Sequence, residues 1–248
     1  MRRFFTERIR PDGDRVCLGP PESGHISRVL RMGPGDRLVL MDGTGARYEA
    51  VISSARPDRV ELRIEKALPP PPAPPIEITL GVSLLKSGPM DFLVQKASEL
   101  GVRRIRPFVA RRTVVRPPGP RVENRLRHWR EVSRNAAEQS DRSLPAEVSA
   151  PVPLEDLLEE FGGGGYLKLL LWEGERTADL KGVLGSREPS GTVVALVGPE
   201  GGFTDEEVHA SRESGFIPVS LGRRILRAET AGIAVTALLQ YEWGDLHR

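Results

Sequence analysis

Cysteine is close to absent from this chain of 248 residues. Cys17 stands alone, so no internal disulfide can form, and a reducing compartment fits. Long apolar runs are missing as well; none reaches the length that a membrane span needs. The basic start, Met1-Arg-Arg-Phe-Phe-Thr-Glu-Arg8, lacks the apolar stretch of a secretory leader. These absences point to a cytoplasmic protein with no membrane partner. Two familiar nucleotide signatures are lacking too. No G-K-[ST] occurs, and Gly198, Gly201 and Gly202 do not make G-x-G-x-x-G. No cluster with metal-ligand spacing stands out, so no metal is expected.

What is present is a globular composition, with 39% apolar and 28% charged residues, enough for a good core in one or two domains. The net charge is only +2, yet it is unevenly spread. Residues 1–150 carry 27 Lys/Arg against 18 Asp/Glu, a balance of +9, and residues 151–248 carry 9 against 16, a balance of −7. Arginine outnumbers lysine 31 to 5, and its planar fork suits phosphates and base edges. A GC-rich genome would explain arginine over lysine, but not its concentration in one part of the chain. A polyanionic partner accounts better for the asymmetry.

Residues 1–68 read as a small β domain. Leu38-Val-Leu-Met41 and Tyr48-Glu-Ala-Val-Ile52 flank Asp42-Gly-Thr-Gly45, a hairpin signal. Val60, Leu62 and Ile64 alternate with charged residues, as in a half-buried strand. So many short strands in so few residues suggest a compact barrel, with His25 to Arg31 as a short helix at its rim. His25 reads as a surface or capping residue. Ala67 to Pro75 holds six prolines in nine residues, which makes 69–75 a semi-rigid linker to a second domain, 76–248.

The second domain opens with a buried strand, Ile76 to Val82, followed by a helix, Asp91 to Leu100, with Gly101 at its end. Arg103 to Arg142 is the most basic stretch, with twelve Arg against four acids. Within it, Arg121 to Ser140 has helical spacing, with Leu126, Trp129 or Val132, and Ala136 on one face. A solvated helix face explains most such charge runs. Arg111 and Arg112, in a loop after the Ile105–Phe108 strand, are harder to dismiss. Phe161-Gly-Gly-Gly-Gly-Tyr166 is a surface loop, and Leu167 to Trp172 is the next strand, which Glu173 ends.

The informative part is Thr192 to Gln240. Thr192 to Val197 is an apolar, β-branched run that reads as a strand buried on both faces. It breaks into Gly198-Pro-Glu-Gly-Gly202, a loop with few side chains, where another molecule could lie against the backbone. Thr204 and Glu207 stand at capping-box spacing, Gly215 is placed to end the helix they start, and Phe216 to Leu221 supplies a short strand. A second loop, Leu221-Gly-Arg-Arg-Ile-Leu-Arg-Ala-Glu-Thr-Ala231, then enters an apolar helix over Ala231–Leu239. Loops at neighbouring strand ends are where an open α/β sheet binds its ligand. Glu200 would repel a phosphate, so backbone groups should hold the ligand, and a triphosphate is excluded.

Leu196-Val-Gly-Pro-Glu-Gly-Gly-Phe203 followed by Leu221 to Ala231 resembles the RsmE family. That family methylates N3 of a uridine in 16S, small-subunit, ribosomal RNA. It belongs to the SPOUT class of S-adenosylmethionine (SAM) enzymes. The resemblance implies a SPOUT-type trefoil-knotted α/β methyltransferase domain preceded by a small PUA-like β-barrel domain. Topology rules alone would argue against a knot. The likeness continues through His25, Arg28-Val-Leu-Arg31, Gly35-Asp36, Gln95-Lys-Ala-Ser-Glu-Leu-Gly-Val102 and Glu138-Gln-Ser-Asp-Arg142. Ser98 replaces the usual Thr; Ser87 and Pro89 depart from the pattern after Lys86.

By resemblance, backbone groups of Leu171, Gly198, Gly201, Leu221 and Ile225, with Leu226 beside them, hold SAM. Glu173, Pro199, Glu200 and Gly222 complete the walls. Glu229, Thr230 and Ala231 line the pocket at the helix start, where capping is an equally good role for the first two. RNA falls to Arg2, Arg28, Arg31, Lys86, Arg111 and Arg112. Uracil N3 must lose its proton to attack a methyl group, and negative charge then grows on O2 and O4. Arg142 and Arg227 are placed by motif to stabilise that charge, and Glu138 either accepts the proton or pairs with a neighbouring Arg. The implied partners are 16S ribosomal RNA or the small ribosomal subunit and a second copy of the chain. A non-catalytic RNA-binding module and a nucleotide enzyme on a Rossmann sheet are the other readings. The first leaves the two glycine loops unexplained, and the second lacks its fingerprint.

Overall fold

Period-two alternation builds the amino-terminal sheet, as the computed structural model of the chain shows. It describes residues 1–6, 9, 14–115 and 122–246. The chain divides into two compact units, residues 1–73 with 137–145, and residues 74–136 with 146–248.

The first unit holds β1 (Arg2–Phe5), β2 (Arg15–Leu18), α1 (Pro20–Gly24), β3 (Arg37–Met41), β4 (Arg47–Ala55) and β5 (Val60–Leu68). They form one sheet in the order β1-β3-β4-β5-β2, in which only the β1–β3 pair is parallel. Asp42 closes the β3–β4 hairpin, its Oδ1 accepting from the Thr44 N–H and hydroxyl, each at 2.8 Å. Successive side chains face opposite ways. Phe4, Leu38, Leu40, Ile52 and Leu62 share one core cluster, while Phe5, Val39 and Met41 pack with Ala137 on the other face. Ala137 arrives with the 137–145 excursion. The helix expected at His25 is a π-helical turn, His25–Val29, in which Leu30 N–H donates to the His25 carbonyl at 2.9 Å.

The second unit begins with β6 (Glu77–Ser83), α2 (Ser87–Glu99), β7 (Arg104–Val109) and α3 (Val122–Gln139). Arg121, the expected start of α3, lies outside the described residues. Next come β8 (Glu147–Val148), β9 (Val152–Pro153), α4 (Leu154–Glu160), β10 (Leu167–Leu171) and α5 (Leu180–Gly185). The chain ends with β11 (Thr192–Val197), α6 (Asp205–Glu213), β12 (Ile217–Val219) and α7 (Ala228–Glu242). All strand pairs are parallel, in the order β12-β10-β11-β6-β7-β8, with β9 also on β7. This mixed α/β fold explains the unbroken apolar runs: helices cover the faces, so β10 and β11 are buried almost throughout.

The punctuation falls where the residues predict it. Gly101 (φ +92°) follows α2 and Gly215 (φ +86°) follows α6, each in the left-handed region that favours glycine. Thr204 and Glu207 form the complete capping box of α6. The buried face of α3 carries Trp129 and Ala136, with Leu126 and Val132 partly buried beside the core.

Candidate functional site

Three strands end side by side in the second unit: Leu171 of β10 lies beside Val197 of β11 and Val219 of β12. The chain leaves them through three loops, 172–178, 198–203 and 220–227. Between these loops and the first turn of α7 lies a cavity of about 270 Å³. Its apolar walls are Leu171, Val197, Val219, Leu226, Ala228 and Ala231; Gly198, Pro199, Gly202, Leu221 and Gly222 supply backbone. Glu173 and Glu200 bring carboxylates, and Arg224 and Arg227 bring guanidiniums.

Close approach needs glycine at two positions in the 198–203 loop. A Cβ on Gly198 would stand 2.9 Å from the Phe203 ring, and Phe203 is buried and stacked on Phe108 with centroids 6.1 Å apart. Gly202 has φ +70°, and a Cβ there would collide with the Glu173 carboxylate. Within the loop, Gly202 N–H donates to the Pro199 carbonyl at 2.9 Å.

The loop is also bolted to the turn after β7. Arg112 Nη1 donates to the carbonyls of Gly201 (3.0 Å) and Phe203 (3.4 Å). Buried Glu207 accepts from Arg111 N–H at 2.7 Å with one oxygen and from Thr204 N–H at 2.8 Å with the other. Arg112, expected on RNA, thus also braces the loop, through Nη1 alone. The Arg111 side chain is exposed, 3.6 Å from Glu206.

The 172–178 loop is organised by Glu175, which sequence reasoning missed. Its Oε1 accepts from the N–H groups of Arg176 (2.9 Å), Thr177 (2.8 Å) and Ala178 (3.2 Å) and from the Thr177 hydroxyl (2.6 Å). The Thr177 hydroxyl and then its N–H are the main reasons why the carboxyl titrates near pH 2, well below its ordinary range. Glu175 Oε2 is 3.4 Å from Arg212, whose guanidinium also lies over the ring of Trp172, 5.8 Å from the centroid. Trp172 is itself a wall of the cavity. The only signal in the sequence is an acid two residues before a threonine in a strand-end loop.

The cavity gathers Leu171, Glu173, Gly198, Pro199, Glu200, Leu221, Gly222, Ile225, Leu226, Ala231 and Arg227. Gly201, Glu229 and Thr230 do not line it. A Cβ on Gly201 would face Arg112 Cβ at 3.1 Å. Helix α7 starts at Ala228 with Arg227 as N-cap, so Glu229 sits in its first turn as an acid beside the helix dipole. Lys86 is the exposed N-cap of α2. Arg2, Arg28, Arg31, Glu138 and Arg142 belong to the first unit, where Glu138 Oε1 accepts from Phe5 N–H at 2.8 Å. Trp172, Val197, Val219, Ser220, Arg224 and Ala228 were not anticipated. Among the described residues no three His, Cys, Asp or Glu side chains gather to hold a metal, and no helix is long and apolar enough to cross a membrane.

Residues 72–240 match the RNA methyltransferase domain family and residues 13–65 the RNA methyltransferase PUA domain family. The structure of a ribosomal RNA small subunit methyltransferase E from Neisseria gonorrhoeae bound to S-adenosyl methionine superposes with a TM-score of 0.89 at 34% identity, covering 99% of each chain. A Legionella pneumophila protein solved in complex with the cofactor SAM gives a TM-score of 0.89 at 31% identity over 98% of each chain. The ribosomal RNA small subunit methyltransferase E of Synechocystis is 31% identical over 216 residues, covering 87% of this chain and 69% of its own.

Proposed function

The chain belongs to the ribosomal RNA small subunit methyltransferase E family, and from that premise we propose that it uses SAM to methylate N3 of one uridine in 16S ribosomal RNA. The observation that carries the reading is the cavity at the ends of β10, β11 and β12. Its character fits SAM. Leu171, Val197, Val219 and Ala231 offer apolar surface to an adenine ring, and the backbone of the 198–203 and 220–227 loops offers hydrogen bonds to polar edges. Glu173 and Glu200 suit a ligand carrying positive charge and would repel a triphosphate. When bound, SAM supplies an electrophilic methyl group.

The chain's own residues do the rest. Gly198, Pro199, Leu221, Gly222, Ile225 and Leu226 hold the cofactor, with Leu171, Glu173, Glu200 and Ala231 as walls and with Gly201, Glu229 and Thr230 supporting them from outside the cavity. Arg227, exposed at the cavity's edge, stabilises negative charge growing on uracil O2 or O4. Arg142 is the second candidate for that role and Glu138 the candidate proton acceptor. Positioning of N3 in line with the methyl supplies several kcal/mol of the acceleration, on the order of that seen for well-oriented groups. Arg2, Arg28, Arg31, Lys86, Arg111 and Arg112 hold RNA phosphates, Arg112 also bracing the cofactor loop. Residues 1–68 form the RNA-holding PUA-like barrel, 69–75 the linker, and 76–248 the SPOUT domain with its trefoil knot. The enzyme works in the cytoplasm as a homodimer, without a metal.

Mass spectrometry of 16S ribosomal RNA from a deletion strain tests the activity. One N3-methyluridine should vanish and return when the purified enzyme and SAM are added to that RNA or to the small subunit. An unchanged nucleoside profile refutes the reading.

A further inference from the structure

Parallel pairing brings the strand ends of the second unit to one edge of its sheet, and two different features share that edge. The cofactor cavity lies at the ends of β10, β11 and β12. Beyond β11 come β6 and β7, and the chain leaves them through Lys86 and through Arg111 and Arg112, all exposed. The 198–203 loop leaves from β11, the cavity strand that neighbours β6.

The turn that carries the two arginines is fixed through its backbone. The hydroxyl of buried Thr113 accepts from Ala110 N–H at 2.8 Å and pairs with the Ser83 hydroxyl at 2.8 Å. Thr113 N–H donates back to the Ala110 carbonyl at 3.1 Å, and Glu207 takes Arg111 N–H at 2.7 Å. What remains movable is the two side chains, and they differ in what they touch. Arg111 Nη1 stands 3.6 Å from Glu206, and its side chain makes no hydrogen bond to the 198–203 loop. Arg112 Nη1 donates to the Gly201 and Phe203 carbonyls, while its Nε and Nη2 have no hydrogen-bond partner among the described residues. Glu206 is the carboxylate near both, held below its ordinary range first by the Thr204 hydroxyl and last by the two guanidiniums. Two guanidiniums against one carboxylate leave this turn with positive charge to spare.

A guanidinium carries its N–H donors in a rigid planar fork, so it can serve two groups at once. Nε and Nη2 form one side edge of that fork, with the geometry that meets two oxygens of a phosphate. An exposed arginine gives up side-chain freedom when it is fixed. A phosphate on the Nε–Nη2 edge would hold the guanidinium in the arrangement that braces the loop, and the cofactor would then meet a loop already braced. Linkage makes the effect reciprocal: a cofactor that settles the loop carbonyls presents the same edge to the phosphate.

We propose that Arg112 is a positioning residue that couples the two substrates, its Nη1 holding the cofactor loop while its Nε–Nη2 edge takes a phosphate of the RNA backbone, so that each ligand tightens the other. The inference rests on the reading of the chain as an RNA methyltransferase. The test uses the full-length protein, labelled 16S ribosomal RNA from the deletion strain, and S-adenosylhomocysteine, which has no methyl group to transfer. Saturating S-adenosylhomocysteine should tighten RNA binding in filter retention roughly fivefold or more, as an ordinary coupling does. Arg112→Ala should reduce that factor to about twofold or less. It should also lower the slope of log affinity against log salt by about one, the loss of one phosphate contact. Arg111→Ala keeps the backbone N–H that Glu207 takes, so it should lower the slope in the same way and keep the coupling. Should Arg112→Ala fail to melt cooperatively, Arg112→Lys, which keeps the charge and loses the fork, should keep the slope and lose most of the coupling. The proposal is overturned by RNA binding that ignores S-adenosylhomocysteine in the unaltered protein, or by coupling that survives in a folded Arg112 variant. An unchanged salt slope in Arg112→Ala also overturns it, since Arg112 would then brace the loop without touching RNA. Methylation of 16S ribosomal RNA is measured beside it: normal methylation without coupling refutes the role of Arg112 alone, and coupling without methylation refutes the enzymatic reading alone.

Discussion

The two glycine-containing loops at the cofactor cavity are built in opposite ways. The 198–203 loop is clamped from outside by Arg112, by buried Phe203 and by the Glu207 bridge to Arg111. In the 220–227 loop, residues 222–225 and Arg227 are exposed, and Ile225 is 85% exposed although apolar. Among the described residues, the side chains of Arg223, Arg224 and Arg227 have no hydrogen bond or ion pair. The first loop is tied into the rest of the fold through its side chains and backbone, and the second turns its side chains toward solvent. A rigid wall lowers the entropic cost of binding, and an adaptable wall can close over the bound pair of substrates.

The sharpest break between the loops should come from Arg227. It caps α7 through its backbone, Ala231 N–H donating to its carbonyl at 2.8 Å, while its side chain pairs with neither Glu229 nor Glu200. Arg227→Ala should therefore lower single-turnover methylation on the order of a hundredfold, the loss expected for one oxyanion-type donor. SAM binding and melting temperature should stay as they are. Arg227→Lys, which keeps charge but loses the fork, should fall between. A loss of stability together with activity would return Arg227 to the scaffold, and normal turnover would remove it from the mechanism.

The clamped loop should respond differently, losing affinity and stability together. Gly202→Ala adds a Cβ where the Glu173 carboxylate lies and forces alanine to φ +70°. Backbone strain of this kind costs about 1–3 kcal/mol. SAM affinity should drop roughly tenfold or less, about 1.4 kcal/mol, and the melting temperature by a few degrees. Gly201→Val is the informative partner. Its side chain would push on Arg112 and not enter the cavity, so it should weaken SAM less than Gly202→Ala does. Calorimetry on both variants decides: equal losses would mean that the loop moves as one body and that the clamp does not hold Gly202 independently.

Much of this contrast was legible in the sequence, and the part that was not has a physical reason. Thr204, Glu207, Gly101 and Gly215 act within a few residues of themselves, so spacing alone reveals their work. The Thr192–Val197 run shows its burial on both faces for the same reason. Arg112 was visible as a basic residue in a loop, but the carbonyls it serves lie 89 and 91 residues away. The 137–145 excursion was hidden because helical spacing in α3 shows which face is apolar, not what covers it. Gly201, central to the motif, faces Arg112 and not the cavity, because a motif fixes residue types and leaves their directions open.

Glu175 offers the gentlest test, on the third loop, which is held from within. Four hydrogen bonds to one oxygen, with Arg212 near the other, keep the carboxyl ionised down to about pH 2. In the unfolded chain a glutamate titrates near 4.3, so as pH falls the unfolded state takes up this proton first. The stability that Glu175 supplies is therefore complete above about pH 4.3 and drains away as pH falls from there toward 2. Glu175→Gln removes the ionisable group and the charge facing Arg212. Above pH 5 the variant should melt a few degrees lower, and SAM affinity should weaken only a few-fold, about 1 kcal/mol, because Trp172 loses part of its support. Melting curves taken from neutral pH downward should converge as the acid range is entered, since the unaltered protein loses an advantage that the variant never had. Parallel curves would show that Glu175 contributes no pH-dependent stability, and the 172–178 loop would then stand on its backbone turns alone.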